Sequence, residues 1–336
     1  MLKCLEVPKC SNGDSEFLQI KTYLHVCVGK LTTSWVGIVS LPMIASGFLC
    51  VNLFCAAAAA SDLYSVGERF RDCSVCPEMV VVPGGDFVMG SPSQEVGRTQ
   101  HESPQHKVLV PKSFAIALYE TKISEWKSCV SEGACDLGGH AQSEGGSKVG
   151  WREWKRTHPA VEISWDDSKK YVAWLTSKTA FEYRLPTEAE WEHAARGGTT
   201  EARFWDKLEG MACEFANLAG QNSCSDGYEE GAPVGSYRAN AFGLYDMLGN
   251  VAEWVEDCWH ESYYGAPTDG KARTHSSDII SADSTDAYSV GDCTEKVYRG
   301  GDWQSAPHEA RSASRAGMGK EAKSKFIGLR IVRALP

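Results

Sequence analysis

Short apolar runs broken by Gly and Pro dominate this chain, and few of them carry a helical period. The segment Met79–Ser91 holds two such runs around Pro83-Gly84-Gly85, the pattern of a β-hairpin. Residues 107–119 continue as strand, and Thr121–Val130 turns helical around Trp126. Two further helices are better marked. Ser164, with Asp167 three residues on, opens the first, and Trp165, Val172, Leu175 and Thr179 make its apolar-leaning face. Thr187 and Glu190 form a capping box for the second, and Gly197 stands where that helix must stop. Beyond Gly198 the chain is rich in Gly, Asn, Asp and aromatic residues, with little helical pattern. Long irregular stretches are uncommon unless something pins them. Tryptophan side chains, bound ions and disulfides are the available pins.

The first 61 residues differ from the rest. From Leu31 to Ser61 there is no Asp, Glu, Lys, Arg or His, and the run ends in five consecutive alanines before Ser61. This composition predicts an export signal with Ala-x-Ala cleavage sites near Ala58–Ala60, or a membrane anchor if the segment is retained. The expected organisation is therefore 1–61 leader, 62–77 lead-in linker and 78–335 one domain, with a periplasmic or secreted destination. A membrane is a partner only in the anchored case.

The chain carries a net charge of −10, which repels phosphate backbones and argues against nucleic-acid binding. Thirteen cysteines are present. Those beyond the leader fall into neighbouring pairs, Cys73/Cys76, Cys129/Cys135, Cys213/Cys224 and Cys258/Cys293. In an exported chain an even set in loop-like sequence reads as disulfides, with connectivity left open. Cys73-Ser-Val-Cys76 also has the spacing of a redox dithiol or half a zinc site, without the strand-to-helix context or second motif those need. Segment 267–291, rich in Ser, Asp and Thr, reads as a surface insertion. Trp151 and Trp154 among Lys and Arg read as packed rings beneath snorkelling cations, with sugar or base stacking as the alternative.

An ordered series of landmarks runs from Met79 to Arg333. It comprises Val82-Pro-Gly-Gly-x-Phe-x-Met-Gly90, Tyr119-Glu-Thr-Lys-Ile-Ser124, His158-Pro-Ala-Val-Glu-Ile-Ser-Trp165, Arg184-Leu-Pro-Thr-Glu-Ala-Glu-Trp191, Gly243-Leu-Tyr-Asp-Met-Leu-Gly-Asn-Val-Ala-Glu-Trp254, Arg299-Gly-Gly-Asp-Trp303 and Gly328-Leu-Arg330. The series resembles the formylglycine-generating enzyme, or sulfatase-modifying factor, family. The resemblance implies a compact α+β fold related to C-type lectins, low in regular secondary structure, with structural calcium; a monomer is expected, though the sequence itself leaves the oligomeric state open. Asp246, Gly249 (carbonyl), Val251 (carbonyl) and Glu253 match one family calcium site; Asn217, Leu218 (carbonyl), Asp226 and Tyr228 (carbonyl) match a second. The first set has independent merit. Two carboxylates seven residues apart with a glycine between them suit a turn offering calcium both carboxylate and carbonyl oxygens.

The departure comes at the catalytic position. Family oxidases hold copper with a cysteine pair after Arg-Gly-Gly, and the corresponding positions here are Ser305 and Ala310. A hydroxyl and a methyl cannot replace thiolates on a cuprous ion, so copper is not expected. Candidates for chemistry on that face are Asp302, Ser305, His308 and Arg311, with Trp303, Gln304, Glu309 and Arg315 beside them. Two functions are compatible with this. One is oxidative or related modification of a protein, peptide or small metabolite in a surface cleft, with any catalytic metal unidentified. The other is a non-catalytic lectin-like module that binds a protein or glycan.

Overall fold

The computed structural model describes residues 64–137, 155–205, 212–219, 228–275 and 293–336, together with two short strands near the N-terminus. The leader run 31–61, Trp151, Trp154, Cys224, Asp226 and residues 276–292 lie outside the described residues. The chain divides into two units, Met1–Ala58 and Ala59–Pro336. In the first, β1 (Cys4–Glu6) pairs antiparallel with β2 (His25–Cys27). The second carries everything that follows. Among the described residues no helix is long and apolar enough to cross a membrane.

Regular elements of the second unit are short. Strands β3 (Arg69–Phe70), β4 (Met79–Val82), β5 (Gly85–Met89), β6 (His106–Val110) and β7 (Phe114–Ala117) precede α1 (Ile123–Ser131) and α2 (Trp165–Thr179). There follow β8 (Tyr183–Arg184), α3 (Glu188–Arg196), α4 (Ala212–Phe215), β9 (Ala252–Cys258), β10 (Glu295–Arg299), β11 (Arg315–Gly319), β12 (Ile327–Leu329) and β13 (Val332–Arg333). They form a five-stranded sheet ordered β3-β4-β7-β13-β8, a four-stranded sheet ordered β11-β10-β9-β12 and the pair β5-β6.

The expected hairpin at Pro83 does not form. Val82 pairs with Phe114 and Gly85 with Val110, so β4-β5 and β6-β7 are the two strands of one antiparallel ribbon, with β4/β7 and β5/β6 as its halves. Its break falls where Pro83 faces Pro111-Lys112-Ser113. Neither proline has an N–H for the ladder, so the ribbon parts there and its halves join different sheets. The strand expected over 107–119 is divided by the same break.

The helices follow their caps. Ser164 Oγ accepts from Asp167 N at 3.1 Å, and Thr187 Oγ1 from Glu190 N at 3.0 Å. Gly197, at φ 56°, ends α3 in the left-handed region where glycine pays no steric penalty. Between the elements, indoles act as rivets: Trp165 Nε1 donates to Val255 O and Trp254 Nε1 to Ile163 O, both at 2.8 Å. Disulfides Cys73–Cys76, Cys129–Cys135 and Cys258–Cys293 join neighbours in sequence, and Cys213 is also bonded.

Candidate functional site

The Arg-Gly-Gly element ends β10, and its arginine faces inward. Arg299 is buried, donating to Glu192 Oε2 at 2.5 Å and to the carbonyls of Ser312 (2.9 Å) and Ala313 (3.1 Å). It therefore grips α3 and the far end of the loop that follows. Arg311 pins the same loop from within. Its guanidinium reaches both Glu102 oxygens at 2.7 Å, Glu95 at 2.6 Å and the Gly97 carbonyl at 2.8 Å. Arg311 and Glu102 are both buried. Loop 302–311 is thus held at two points by charge-assisted bonds.

On this loop Asp302 and Ser305 come together. Asp302 N donates to Ser305 Oγ at 3.0 Å, Ser305 N to Asp302 O at 2.9 Å, and Gln304 N to Asp302 Oδ1 at 2.7 Å. Burial pushes the Asp302 carboxyl above its ordinary range, against the lowering effect of those donors. A side chain on Gly301 (φ 72°) would lie 3.2 Å from Ser305 Oγ and 3.4 Å from Ala310 Cα. Ser305 and Ala310 therefore flank one point above the second glycine. His308 and Glu309 are exposed, Trp303 is buried against Val161, Val251 and Phe326, and Arg315 is buried on Glu188. Asp302 and Ser305 share a site that Arg311, committed to Glu95 and Glu102, does not enter.

The second cluster lies on the turn before β9, joined to the loop by the bond from Trp303 N to Asn250 O (3.0 Å). Asp246 (φ 56°) is buried; its Oδ2 accepts from Gly235 N at 2.6 Å, and its Oδ1 has no partner among the described residues. Burial first, then the Glu253 charge, raises its pKa to about 6 against the lowering effect of Gly235 N and Arg330. Glu253 is fully engaged. Arg330 Nη2 and Nε reach Oε1 at 2.8 and 3.0 Å, Nε also lies 3.1 Å from Oε2, and Trp191 Nε1 donates to Oε2 at 2.7 Å. Gly249, at φ 79°, lies against the Asn217 carbonyl, which leaves no room for a Cβ and accepts from Asn250 N at 3.0 Å. Leu218 is buried in the core, and Tyr228 is exposed.

Sequence reasoning missed the third carboxylate. Glu120 is buried, accepting from Asn250 Nδ2 at 2.8 Å and Val251 N at 3.1 Å. Glu120, Trp191 and Arg330 all sit in the landmark series, yet nothing local in the chain says that they converge.

Comparison with known proteins identifies the class. The sulfatase-modifying factor enzyme 1-like domain matches residues 66–335, and the chain belongs to that family. Its fold is the family's C-type-lectin-like α+β fold, low in regular secondary structure. Among individual proteins, it is similar to PvdO from Pseudomonas aeruginosa, with 37% identity and a TM-score of 0.70 over 81% of this chain and 100% of that one. The formylglycine-generating enzyme of Mus musculus is 29% identical over 58% of this chain and 64% of its own length. That of Streptomyces coelicolor is 34% identical over 52% of each. The chain thus spans between half and two thirds of these two enzymes.

Proposed function

We propose that this protein is an exported, calcium-stabilised member of the family that modifies a protein, peptide or small metabolite without a thiolate copper site. The observation that carries the reading is the pair flanking Gly301, Ser305 and Ala310, of which Ser305 also bonds the half-buried Asp302. Such a pair offers no soft ligand for a cuprous ion. Asp302, raised by burial and touching Ser305, is the acid/base group of the loop. Disulfides between neighbouring cysteines favour an oxidising, non-cytoplasmic compartment.

Calcium is the ion whose chemistry suits Asp246, which has a buried oxygen without a donor among the described residues and a turn rich in carbonyls beside it. Asp246 with the carbonyls of Gly249 and Val251 would hold it. Glu253 is a weaker ligand, because its lone pairs already serve Arg330 and Trp191. In the second set, Asn217 and the carbonyls of Leu218 and Tyr228 would join Asp226.

A formylglycine assay on a Cys-x-Pro-x-Arg peptide, with and without copper, tests the reading. No conversion is expected in either arm; copper-dependent conversion would overturn it. The binding-module reading draws support from the ion pairs that occupy Arg311 and from the exposure of His308. It predicts that Asp302→Asn leaves partner affinity unchanged, whereas the enzyme reading predicts loss of turnover.

A further inference from the structure

The Cys-x-x-Cys element near the start of the domain takes no part in the function proposed above. Cys73 and Cys76 form a disulfide across a sequence separation of 3. Cys76 is buried in the first core cluster, whereas Cys73 is only half-buried. In Cys129–Cys135 and Cys258–Cys293, the other two bonds described at both ends, all four cysteines are buried. An attacking thiolate must reach a sulfur, so access ranks Cys73 first among these.

The turn that carries the pair is closed without it. β3 and β4 pair through Arg69–Val80 and Phe70–Met79, and Arg71 spans the turn to Glu78 (3.2 Å) and to the Cys76 carbonyl (2.7 Å). On the chain-entropy account, a disulfide stabilises by denying loop conformations to the unfolded chain, and the effect shrinks with the loop. Cys258–Cys293 closes a separation of 35; by comparison the Cys73–Cys76 bond favours folding roughly thirty-fold less.

We propose that Cys73–Cys76 is a thiol–disulfide exchange site of the folded protein, opened by an external thiol that attacks Cys73. The thiolate bonds to Cys73 Sγ, the bond to Cys76 breaks, and its electron pair leaves on Cys76 Sγ, which takes a proton. A second external thiolate attacks the reagent's sulfur in the mixed disulfide. Cys73 departs as thiolate, takes a proton, and the reagent leaves as its own disulfide. Two external thiols are oxidised, and the protein pair gains two electrons and two protons.

The test equilibrates the native full chain with increasingly reducing glutathione buffers and, separately, with dithiothreitol, followed by acid quench, alkylation and peptide mass spectrometry. Cys73 and Cys76 are expected to label first, while Cys129–Cys135 and Cys258–Cys293 stay closed and near-UV circular dichroism stays native. Opening by dithiothreitol alone supports the site and narrows the reagent to dithiols. Opening of all three bonds together, or of Cys73–Cys76 last, overturns the proposal. The Cys73→Ser/Cys76→Ser variant is expected to fold and melt within about 6 °C of the parent, consistent with a short-loop disulfide. If it fails to fold, the bond is structural and the exchange site is lost.

Discussion

Arg330 and Glu253 meet in a buried ion pair that joins the chain just beyond β12 to the start of β9, at 2.8 Å across 77 residues of sequence. Both are sealed from solvent, and the remaining guanidinium donors reach the carbonyls of Ala117 (2.9 Å) and Tyr245 (2.8 Å). Removing one partner strands the other's charge in the interior, which costs about 3–5 kcal/mol. Glu253→Ala and Arg330→Ala should each lower stability by that amount in urea unfolding. A loss below about 1 kcal/mol, the range of exposed pairs, would show that water reaches the site.

Helix starts give a smaller, calibrated effect. Ser164→Ala removes an N-cap acceptor and should cost about 1 kcal/mol. Thr187→Ala should cost more, because its hydroxyl also donates to the Gly270 carbonyl at 2.9 Å. Paired urea titrations test the order; equal losses would mean that the Gly270 bond contributes nothing.

These caps were legible in the sequence because they are local: three residues decide them. The Ser305 and Ala310 positions were legible by counting from Gly301. The ribbon of β4-β5 with β6-β7 was not, since each apolar run reads alike whichever strand it pairs with, and only the opposed Pro83 and Pro111 mark the break. Nor was the burial of Arg311 on Glu102, 209 residues away. Charged residues read as surface from sequence alone, and here they share the interior with the tryptophans and disulfides expected to pin it.

Stability should depend on pH through Asp257. Burial first, and then the Glu188 charge, pushes its carboxyl up to about 7, against about 3.9 in an unfolded chain. A raised folded pKa means that the proton stabilises the fold. The benefit is complete below about pH 4 and lost as pH rises through 7, on the order of 4 kcal/mol in all. His260 works the other way. Burial and Arg273 push it down to about 4, so its contribution is present above about pH 6.5 and lost as pH falls through 4. The two slopes oppose each other, so the informative quantity is wild-type stability relative to Asp257→Asn. It should fall between pH 4 and 7 and level off above; a flat difference would remove Asp257 from the account.

Removing calcium should lower the melting temperature. A ligand held only by the folded chain at a hundred times its Kd adds about 2.7 kcal/mol. EGTA should abolish that increment in the parent and shift Asp246→Ala, already melting lower, by less, because that variant keeps only the Asp226 set. An EGTA-insensitive parent would sink the calcium proposal without touching the fold.

The flanking of Gly301 yields the sharpest forecast. Ser305 Cβ lies 3.3 Å and Ala310 Cα 3.4 Å from the point where a Gly301 side chain would begin, so the two residues are near neighbours across it. The loop between them is held by Arg311 donating to the His308 carbonyl at 2.8 Å and by Arg203 donating to the Pro307 carbonyl at 2.6 Å. If the framework of the family's copper site persists and only its ligands have changed, Ser305→Cys with Ala310→Cys should restore a place for one cuprous ion. Two thiolates suit that ion where a hydroxyl and a methyl do not. Competition with bicinchoninate under ascorbate should show about one tightly held equivalent in the double variant and none in the parent, with either single variant at least about tenfold weaker. Equal binding by parent and double variant would show that the loop never supplied the ligands.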